Sequence, residues 1–221
     1  MSLSPIRKLS WNDKRAFISV MENAFSPDPF FQKLFNRNIT ALIAANQVKV
    51  FFSFIFDMSM LMRLDARGFF DGDRLVACYL LEVPSVNPFR KISGAILVLV
   101  RALVLAGKIR FTTLIILNDY MRLTRSNAPL GRHYYLMQIG VHEAARGQGI
   151  GKALMQEIIR CAEDDKKAIG ICLDTENKAN VGLYEHFGFI MTKEISLDGL
   201  PIYCMFRKKL AKEVVVAPCI K

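Results

Sequence analysis

The sequence predicts an α+β fold, an α/β sandwich in which helices lie on the faces of one mixed sheet. Strand-like and helix-like segments follow one another along the chain and end in the order β–α–β–α–β–β. Of the 221 residues, 52% are apolar and 23% are charged, which is typical of a globular protein with ample chain for a core. No repeat or interdomain linker interrupts the sequence, so we expect a single domain over residues 1–221.

The N-terminal part is predicted to form a short strand followed by helices. Residues 5–10 favour a strand, and Ser10 or Asn12 is a suitable N-cap for a helix that begins near Trp11. The segment Ser26-Pro-Asp-Pro29 ends this helix, because proline does not fit inside a helix. The next four apolar side chains have helical spacing and are expected in the core: Phe30, Phe31, Leu34 and Phe35.

The middle of the chain combines an apolar helix, a β-hairpin and a helical insertion. Residues 47–64 carry apolar side chains on more than one stripe, as buried helices do. Residues 68–83 have the pattern of a hairpin, with Asp71-Gly72-Asp73 as its turn. Residues 89–125 are predicted to form two helices separated near Gly107.

The second half alternates strands and helices. Residues 133–141 are aromatic and β-branched, which favours a strand, and helical spacing then runs from about residue 149 to 164. The apolar stripe of this helix consists of Ile150, Leu154, Ile158 and Cys161. The remaining predicted elements are a strand over 169–175, a helix over 178–187, and strands over 189–195 and 201–207.

The turn between the central strand and its helix reads Arg146-Gly-Gln-Gly-Ile-Gly151. Glycines let the backbone turn sharply and approach a ligand, and the first amides of a helix have no intrahelical partner. This combination suits a phosphate or pyrophosphate, although a tightly packed loop is the alternative. The P-loop pattern is excluded because Ala153 follows Lys152, and the Rossmann pattern is excluded because the glycine spacing differs.

The spacing does match the pattern Arg/Gln-x-x-Gly-x-Gly/Ala, which resembles the coenzyme A loop of the GNAT acyltransferase superfamily. A second segment, Leu173 to Phe189, contains Asn177, Leu183-Tyr184-Glu185 and Gly188-Phe189, and is similar to the second half-site of that family. The resemblance covers residues 133–189, the expected coenzyme-binding half. It implies a mostly antiparallel central sheet with a helical insertion between strands 3 and 4, at about residues 85–130.

The resemblance also implies acetyl-CoA as co-substrate and assigns roles to residues of this chain. Tyr184 is the candidate general acid toward the coenzyme sulfur, with a core tyrosine as the alternative. Asn177 is either a coenzyme contact or a helix N-cap. The implied coenzyme-binding residues are Gln138, Ile139, Gly140, Val141, Arg146, Gly147, Gln148, Gly149, Ile150, Gly151, Lys152, Asn177 and Tyr184.

The general base is not defined by the sequence. The candidates are Glu82, Glu143 and Asp174, with Glu22 on the first helix as a fourth, and each is more often a solvated or capping carboxylate. Glu143 stands where the family commonly has proline, which weakens a transferred role. A backbone N–H near Ile139 to Val141 is the expected oxyanion donor.

The charge and cysteine content restrict the partners. The net charge is +10, which suits a polyanion, and the phosphates of coenzyme A account for part of it. No arginine-rich run with interleaved aromatics indicates nucleic acid, and no cysteine or histidine spacing indicates a metal site. The five scattered cysteines and the absence of a signal peptide lead us to expect a cytoplasmic protein.

One apolar stretch, residues 92–107, requires comparison with a membrane span. It is shorter than the roughly 20 apolar residues that a spanning helix needs, and Arg101 interrupts it. We expect no transmembrane segment and prefer a helix that is buried or covers the acceptor pocket. Attachment to a membrane surface stays open at this point.

The expected function is transfer of an acetyl group from acetyl-CoA to a primary amine of a small molecule, by direct attack in a ternary complex. The alternatives are a non-catalytic coenzyme A-binding module, an enzyme acting on a protein or peptide amine, and a basic nucleic-acid binder. The sequence leaves a homodimer open and does not identify the acceptor.

Overall fold

A computed structural model describes residues 5–35, 41–84 and 107–210. Over these residues we number the strands β1 to β7 and the helices α1 to α6. The strands are β1 Ile6–Lys8, β2 Asp65–Asp71, β3 Arg74–Glu82, β4 Tyr134–Val141, β5 Gly170–Thr175, β6 Ile190–Leu197 and β7 Leu200–Lys208. The helices are α1 Lys14–Phe25, α2 Pro29–Phe35, α3 Ala41–Leu61, α4 Phe111–Ser126, α5 Ile150–Asp164 and α6 Lys178–His186.

The seven strands form one sheet in the order β1-β2-β3-β4-β5-β7-β6. Only β4 and β5 pair in parallel, and every other neighbouring pair is antiparallel. The predicted mixed, mostly antiparallel sheet is therefore confirmed. The parallel pair lies in the middle of the sheet because α5 carries the chain across one face between β4 and β5.

The sheet separates two hydrophobic cores, one on each face. Alternate residues of β3 supply both, since Cys78 and Leu80 pack into the first core and Tyr79 and Leu81 into the second. The first core is built mainly with α1, α2 and α3, and it contains the predicted core residues Phe30, Phe31, Leu34 and Phe35. The second core contains the apolar stripe of α5, in which Ile150, Leu154 and Ile158 are buried.

The helix predicted over 47–64 is longer and begins earlier, as Ala41–Leu61. It ends before residue 64 because Arg63 adopts a left-handed conformation, with φ 55°, and the chain then enters β2. At the N-terminus, a 3-10 turn over Trp11–Asp13 precedes α1. The Asp13 carboxylate caps this turn by accepting hydrogen bonds from the Ser10 amide at 2.7 Å and hydroxyl at 2.8 Å.

The predicted helical insertion between β3 and β4 contains α4, while residues 85–106 lie outside the described residues. The apolar stretch 92–107 falls almost wholly there. Within the described ranges, one helical stretch, Leu42–Leu61, is long and apolar enough to cross a membrane by length and composition alone. One side of it carries Phe52 and Phe56 into the first core, as the core helix of a globular protein does.

Candidate active site

The parallel strands β4 and β5 separate near the middle of the sheet. They pair only at Tyr134 with Ile171 and at Tyr135 with Cys172. Beyond these residues β5 pairs with β7, and β4 continues along β3 to Val141. The edge of β4 that faces the gap therefore has no strand partner in the described part of the chain. An extended ligand placed there would meet unpaired backbone donors and acceptors.

A β-bulge in β4 lies beside this gap. Gln138 pairs with Leu80 and Leu136 pairs with Leu81, so Met137 is the extra residue. A bulge bends its strand and redirects the side chains that follow it. Gly140, further along β4, packs against α1 so closely that a Cβ there would lie 3.0 Å from the Ala24 Cβ. This glycine brings the end of β4 close to α1.

The glycine-rich turn leads from β4 to the N-terminus of α5. Gly147 and Gly149 have φ of 77° and 76°, which glycine adopts without strain. A Cβ on either residue would meet no atom within 4 Å, so the turn faces open space. Gly149 is the N-cap and provides no side-chain cap, and the Ala153 amide donates to its carbonyl at 3.0 Å. The amides before Ala153 thus point out of the helix at its positive end, as an anion-binding site requires.

Side chains of the turn hold it in place. The Arg146 guanidinium donates at 3.4 Å to the carbonyl oxygens of Val141 and Ala24. The Gln148 amide nitrogen donates to the Ala144 carbonyl at 3.3 Å, and the Glu143 amide donates to Asn23 Oδ1 at 2.7 Å. In this structure Arg146 therefore fixes the loop between β4 and α1.

A cluster of carboxyl groups and tyrosines lies at the end of β5, next to the gap. The Tyr135 hydroxyl bonds Asp174 Oδ1, and the Tyr120 hydroxyl contacts both Asp174 Oδ2 and Glu176 Oε1. Asp28 is the third carboxyl group nearby, and its Oδ1 accepts from the Phe30 and Phe31 amides at the start of α2.

Burial raises the pKa values of these carboxyl groups. The pKa of Glu176 rises to about 8 because it is desolvated and lies near the charge of Asp174. Desolvation also raises the pKa of Asp174, although hydrogen bonds from Tyr120 and Tyr135 oppose the change. The pKa of Asp28 is raised by burial as well. Buried carboxyl groups with raised pKa values at an opening are candidates for acid–base chemistry.

A separate cavity of about 300 Å³ lies between α1, α2 and α3. Its walls are largely apolar, and Glu22 contributes a carboxyl group whose pKa is raised by burial. Phe25 lines the cavity and also lies 3.8 Å from the position of a Cβ on Gly140, which connects the cavity to β4. The lining residues are Glu22, Phe25, Ser26, Phe31, Gln32, Phe35, Ala44, Ala45 and Val48.

The family model described as Acetyltransferase (GNAT) domain matches residues 101–191. This stretch includes the gap, the glycine turn and the cluster formed by Tyr120, Tyr135, Asp174 and Glu176. Over this stretch the chain is similar to the acetyltransferase domains of the GNAT superfamily. The predicted resemblance to the GNAT superfamily and the predicted enzyme class, an acyl-CoA-dependent N-acetyltransferase, are confirmed by this match. No curated protein matches the chain.

Solved structures show the same fold over nearly the whole of this chain. One described as histone acetyltransferase HPA2 and related acetyltransferase, from Corynebacterium glutamicum, is 20% identical with a TM-score of 0.66, covering 95% of this chain and 98% of that chain. Arylalkylamine N-acetyltransferase 2 from Aedes aegypti is 12% identical with a TM-score of 0.58, covering 92% and 97%. PaiA N-acetyltransferase from Thermoplasma acidophilum, in complex with coenzyme A, is 14% identical with a TM-score of 0.54, covering 92% and 97%.

The free amides of the turn and the unpaired edge of β4 fit the phosphates and the extended arm of coenzyme A. The predicted coenzyme residues of β4 and the turn lie along these two features. Asn177 is the N-cap of α6, where its Oδ1 accepts from the Ala179 amide at 3.0 Å. Its coenzyme contact stays a prediction.

Tyr184, the predicted general acid, lies in the second core, where its ring meets the Phe189 ring edge-on at 5.9 Å between centroids. It is 8% exposed, and its hydroxyl has no hydrogen-bond partner in the described part of the chain. Burial raises its pKa well above the ordinary value, with further contributions from Glu176 and Asp174. A neutral hydroxyl without a protein partner is suited to donating to a ligand atom.

The structure separates the predicted base candidates. Glu82 forms an ion pair with Arg125 at 2.8 Å between Oε2 and Nη1, and Glu143 is exposed at the start of the turn. Asp174 is enclosed by tyrosines at the gap, and Glu22 lines the cavity. The described residues contain no group of three or more His, Cys, Asp or Glu placed to hold a metal ion.

Sequence analysis did not identify Glu176 or Tyr120. The one hint for Glu176 was its position two residues after the candidate Asp174, but β5 ends at Thr175, so strand alternation does not place its side chain. Tyr120 gave no such signal. It is brought to Asp174 by α4, 54 positions earlier in the chain.

Proposed function

We propose that this GNAT enzyme acetylates the primary amine of a small molecule that has an apolar body, by direct attack on acetyl-CoA in a ternary complex. The observation that carries the proposal is the cavity between α1, α2 and α3, with phenylalanine walls and one carboxyl group. A volume of about 300 Å³ is at the lower end of the range of small-molecule pockets. An amine with an aromatic or aliphatic body fits such a space.

The acceptor must lose a proton, because a protonated amine has no lone pair with which to attack. Asp174 supports this step as a base candidate, since it lies at the gap and is hydrogen-bonded by Tyr135. The amine nitrogen then forms a bond to the thioester carbon, and the C–S bond breaks. A backbone N–H of β4 near Ile139 to Val141 would stabilise the oxyanion, and Tyr184 would donate to the departing thiolate.

Charge supports an acceptor with a single amine. The net charge of +10 disfavours approach of polycations, and the largely apolar cavity wall disfavours burial of a second ammonium group. A substrate panel with acetyl-CoA should therefore rank phenethylamine and hexylamine above spermidine and above a peptide with a free N-terminus. Thiol release measures each rate, and strong preference for spermidine or the peptide would contradict the proposal.

Two leucine substitutions on α3 test the cavity itself. Ala44 is buried in the cavity wall, whereas Asn46, two positions later, is exposed and does not line the cavity. Ala44→Leu should fill part of the cavity and raise the KM for phenethylamine roughly tenfold or more, which corresponds to about 1.4 kcal/mol of lost binding. Asn46→Leu places the same side chain on the exposed face of the helix and should leave this KM unchanged. Equal KM values for the two variants would mean that the cavity does not hold the acceptor.

The non-catalytic alternative is tested by the same panel, because a module that only binds coenzyme A would release no thiol with any amine. The cytoplasmic location and the homodimer stay predictions.

A further inference from the structure

The Tyr120 hydroxyl joins the two carboxyl groups of the cluster. This hydroxyl contacts Asp174 Oδ2 and Glu176 Oε1 at hydrogen-bonding range, but it has only one proton to donate. The second contact therefore needs a proton from one of the carboxyl groups. Asp174 also accepts from Tyr135, so Asp174 is the ionised partner and Glu176 the protonated one. The order is Glu176 carboxyl to Tyr120 hydroxyl to Asp174 carboxylate.

The groups around this pair come from several elements. Asp28, at the start of α2, adds a negative charge that acts on Glu176. Arg125, on α4, lies 3.7 Å from the centre of the Tyr135 ring and lowers the pKa of Asp174. Its guanidinium is already paired with Glu82 at 2.8 Å. Among the described residues, the charges that act on the pair are therefore the shared Arg125 and Asp28, and the thiols of Cys172 and Cys204 also lie near Asp174.

Tyr184 provides an independent sign that a ligand belongs beside the pair. Its side chain is more than nine-tenths buried, and its hydroxyl has no hydrogen-bond partner in the described ranges. The charges of Glu176 and Asp174 both act on this hydroxyl, so it lies near the pair. A hydroxyl of a buried ring that no described protein group bonds is available to a bound molecule. Tyr184 and the pair thus border one site.

We infer that Asp174 and Glu176, joined through Tyr120, form one proton-accepting pair that binds the ammonium group of the acceptor and takes its proton. This inference rests on the proposed function and deepens it. Tyr120 is a positioning residue, supplied by the helical insertion between β3 and β4, that couples the two carboxyl groups.

The acceptor arrives as R–NH3⁺, and one proton passes to the pair, which leaves R–NH2. The nitrogen forms a bond to the thioester carbon, the C–S bond breaks, and a second proton leaves the nitrogen as the amide forms. That proton ends on the thiolate, giving coenzyme A as a thiol. The pair returns its proton to water, so the sum is R–NH3⁺ plus acetyl-CoA giving the amide, coenzyme A and H⁺.

The pair predicts a specific dependence on pH. Glu176 has a pKa of about 8, so the pair gains its second negative charge as the pH rises through this value. With phenethylamine, kcat/KM of the wild type should rise with an apparent pKa near 8. An arylamine such as aniline is neutral across this range and needs no proton acceptor before attack. Its kcat/KM should lack this step.

Two variants test whether the carboxyl pair accepts the proton of the amine or only stabilises the fold. Glu176→Gln keeps the shape but cannot ionise, so the rise near pH 8 should disappear and kcat/KM for phenethylamine at alkaline pH should fall roughly tenfold or more. Glu194→Gln, at an exposed position of β6, removes the same charge outside the cluster and should behave as wild type. Calorimetry with coenzyme A verifies that each variant is folded and binds the co-substrate.

A measurement that needs no amine completes the test. The carboxyl carbons of labelled glutamate are titrated by NMR, where Glu176 should titrate near pH 8 in the wild type. Asp174→Asn should lower this pKa because the neighbouring charge is lost, and Tyr120→Phe should raise it because the ionised carboxylate loses a hydroxyl that can donate to it. An ordinary pKa for Glu176, or an unchanged pH profile in Glu176→Gln, overturns the inference. If no amine is acetylated while Glu176 still titrates near 8, the proposed function is wrong instead.

Discussion

Gly151 offers a test in which protein stability and coenzyme affinity should change in opposite directions. It is the second residue of α5, and a Cβ at this position would meet only Val141 Cγ2, at an ordinary 3.5 Å. Unlike Gly149, it has no positive φ, so alanine fits the backbone without strain. The free protein therefore gives no steric reason for glycine here. We expect the reason to be the coenzyme, which we predict to lie between the end of β4 and the first amides of α5.

Helix propensity sets the expected change in stability of Gly151→Ala, and the loss of a hydrogen bond to phosphate sets the expected change in coenzyme A affinity. Alanine is about 1 kcal/mol more favourable than glycine inside a helix, so Gly151→Ala should stabilise the free protein by up to about 1 kcal/mol. For a chain of this size that raises Tm by roughly 2–4 °C. In the complex, the new methyl group displaces a phosphate from one charge-assisted hydrogen bond, which costs about 1.5–3 kcal/mol. Coenzyme A affinity should therefore fall roughly 10- to 150-fold.

Calorimetric titration with coenzyme A and thermal unfolding without it measure the two effects. Gly149→Val is a less clear test, because a β-branched residue at φ 76° is strained even in the free protein. Its affinity should also fall, but with a loss of stability. Unchanged coenzyme A affinity in a stabilised Gly151→Ala variant would refute the placement of the pyrophosphate at this turn.

Three further predictions concern the catalytic and structural parts of the protein. Tyr184→Phe should lower kcat roughly ten- to a hundred-fold at saturating acetyl-CoA, with little change in coenzyme affinity. If the variant showed the same single-turnover rate as the wild type, Tyr184 would have no part in the mechanism. The folded protein binds a proton at Glu176 between its ordinary pKa of 4.5 and about 8, so the free energy of unfolding should decrease across this window as the pH rises. At about 1.4 kcal/mol per pKa unit the decrease is at most about 5 kcal/mol, and urea unfolding of Glu176→Gln should show a correspondingly smaller pH slope. Ile158 is fully buried in the second core, so Ile158→Ala should lower the free energy of unfolding, measured in urea, by about 2–5 kcal/mol. A loss below roughly 1 kcal/mol would mean that the core relaxes to fill the space of the missing side chain.

Local patterns in the sequence were sufficient for most elements of secondary structure. The hairpin follows from a glycine turn between two alternating runs, and Gly72 does adopt a positive φ of 58° there. The start of α5 follows from the switch to helical spacing after the glycines. Boundaries were predicted less well where tertiary contacts decide them. The end of α3 at Leu61 depends on the left-handed Arg63 and on the pairing of β2 with β3.

The expected coenzyme-binding half of the site could be predicted from the sequence because its parts are adjacent in the chain. A strand, a glycine turn and the N-terminus of a helix form an anion site whatever the rest of the chain does, since backbone amides supply the donors. Asn177 was an N-cap candidate because it directly precedes a segment predicted to be helical, and in the structure it is the N-cap of α6.

The sequence by itself predicted the family resemblance and the fold class, because these are encoded by spacing within single supersecondary units, and it predicted which stretch should bind the co-substrate. Only the tertiary structure decided which carboxyl groups can share a proton. Tyr120 and Asp174 are far apart in the chain, and they meet because α4 packs beside the gap between β4 and β5. Burial at that meeting point, rather than the residue type, raises the pKa of Glu176 to about 8. Desolvation is a property of the packed environment, and no local pattern of residues contains it.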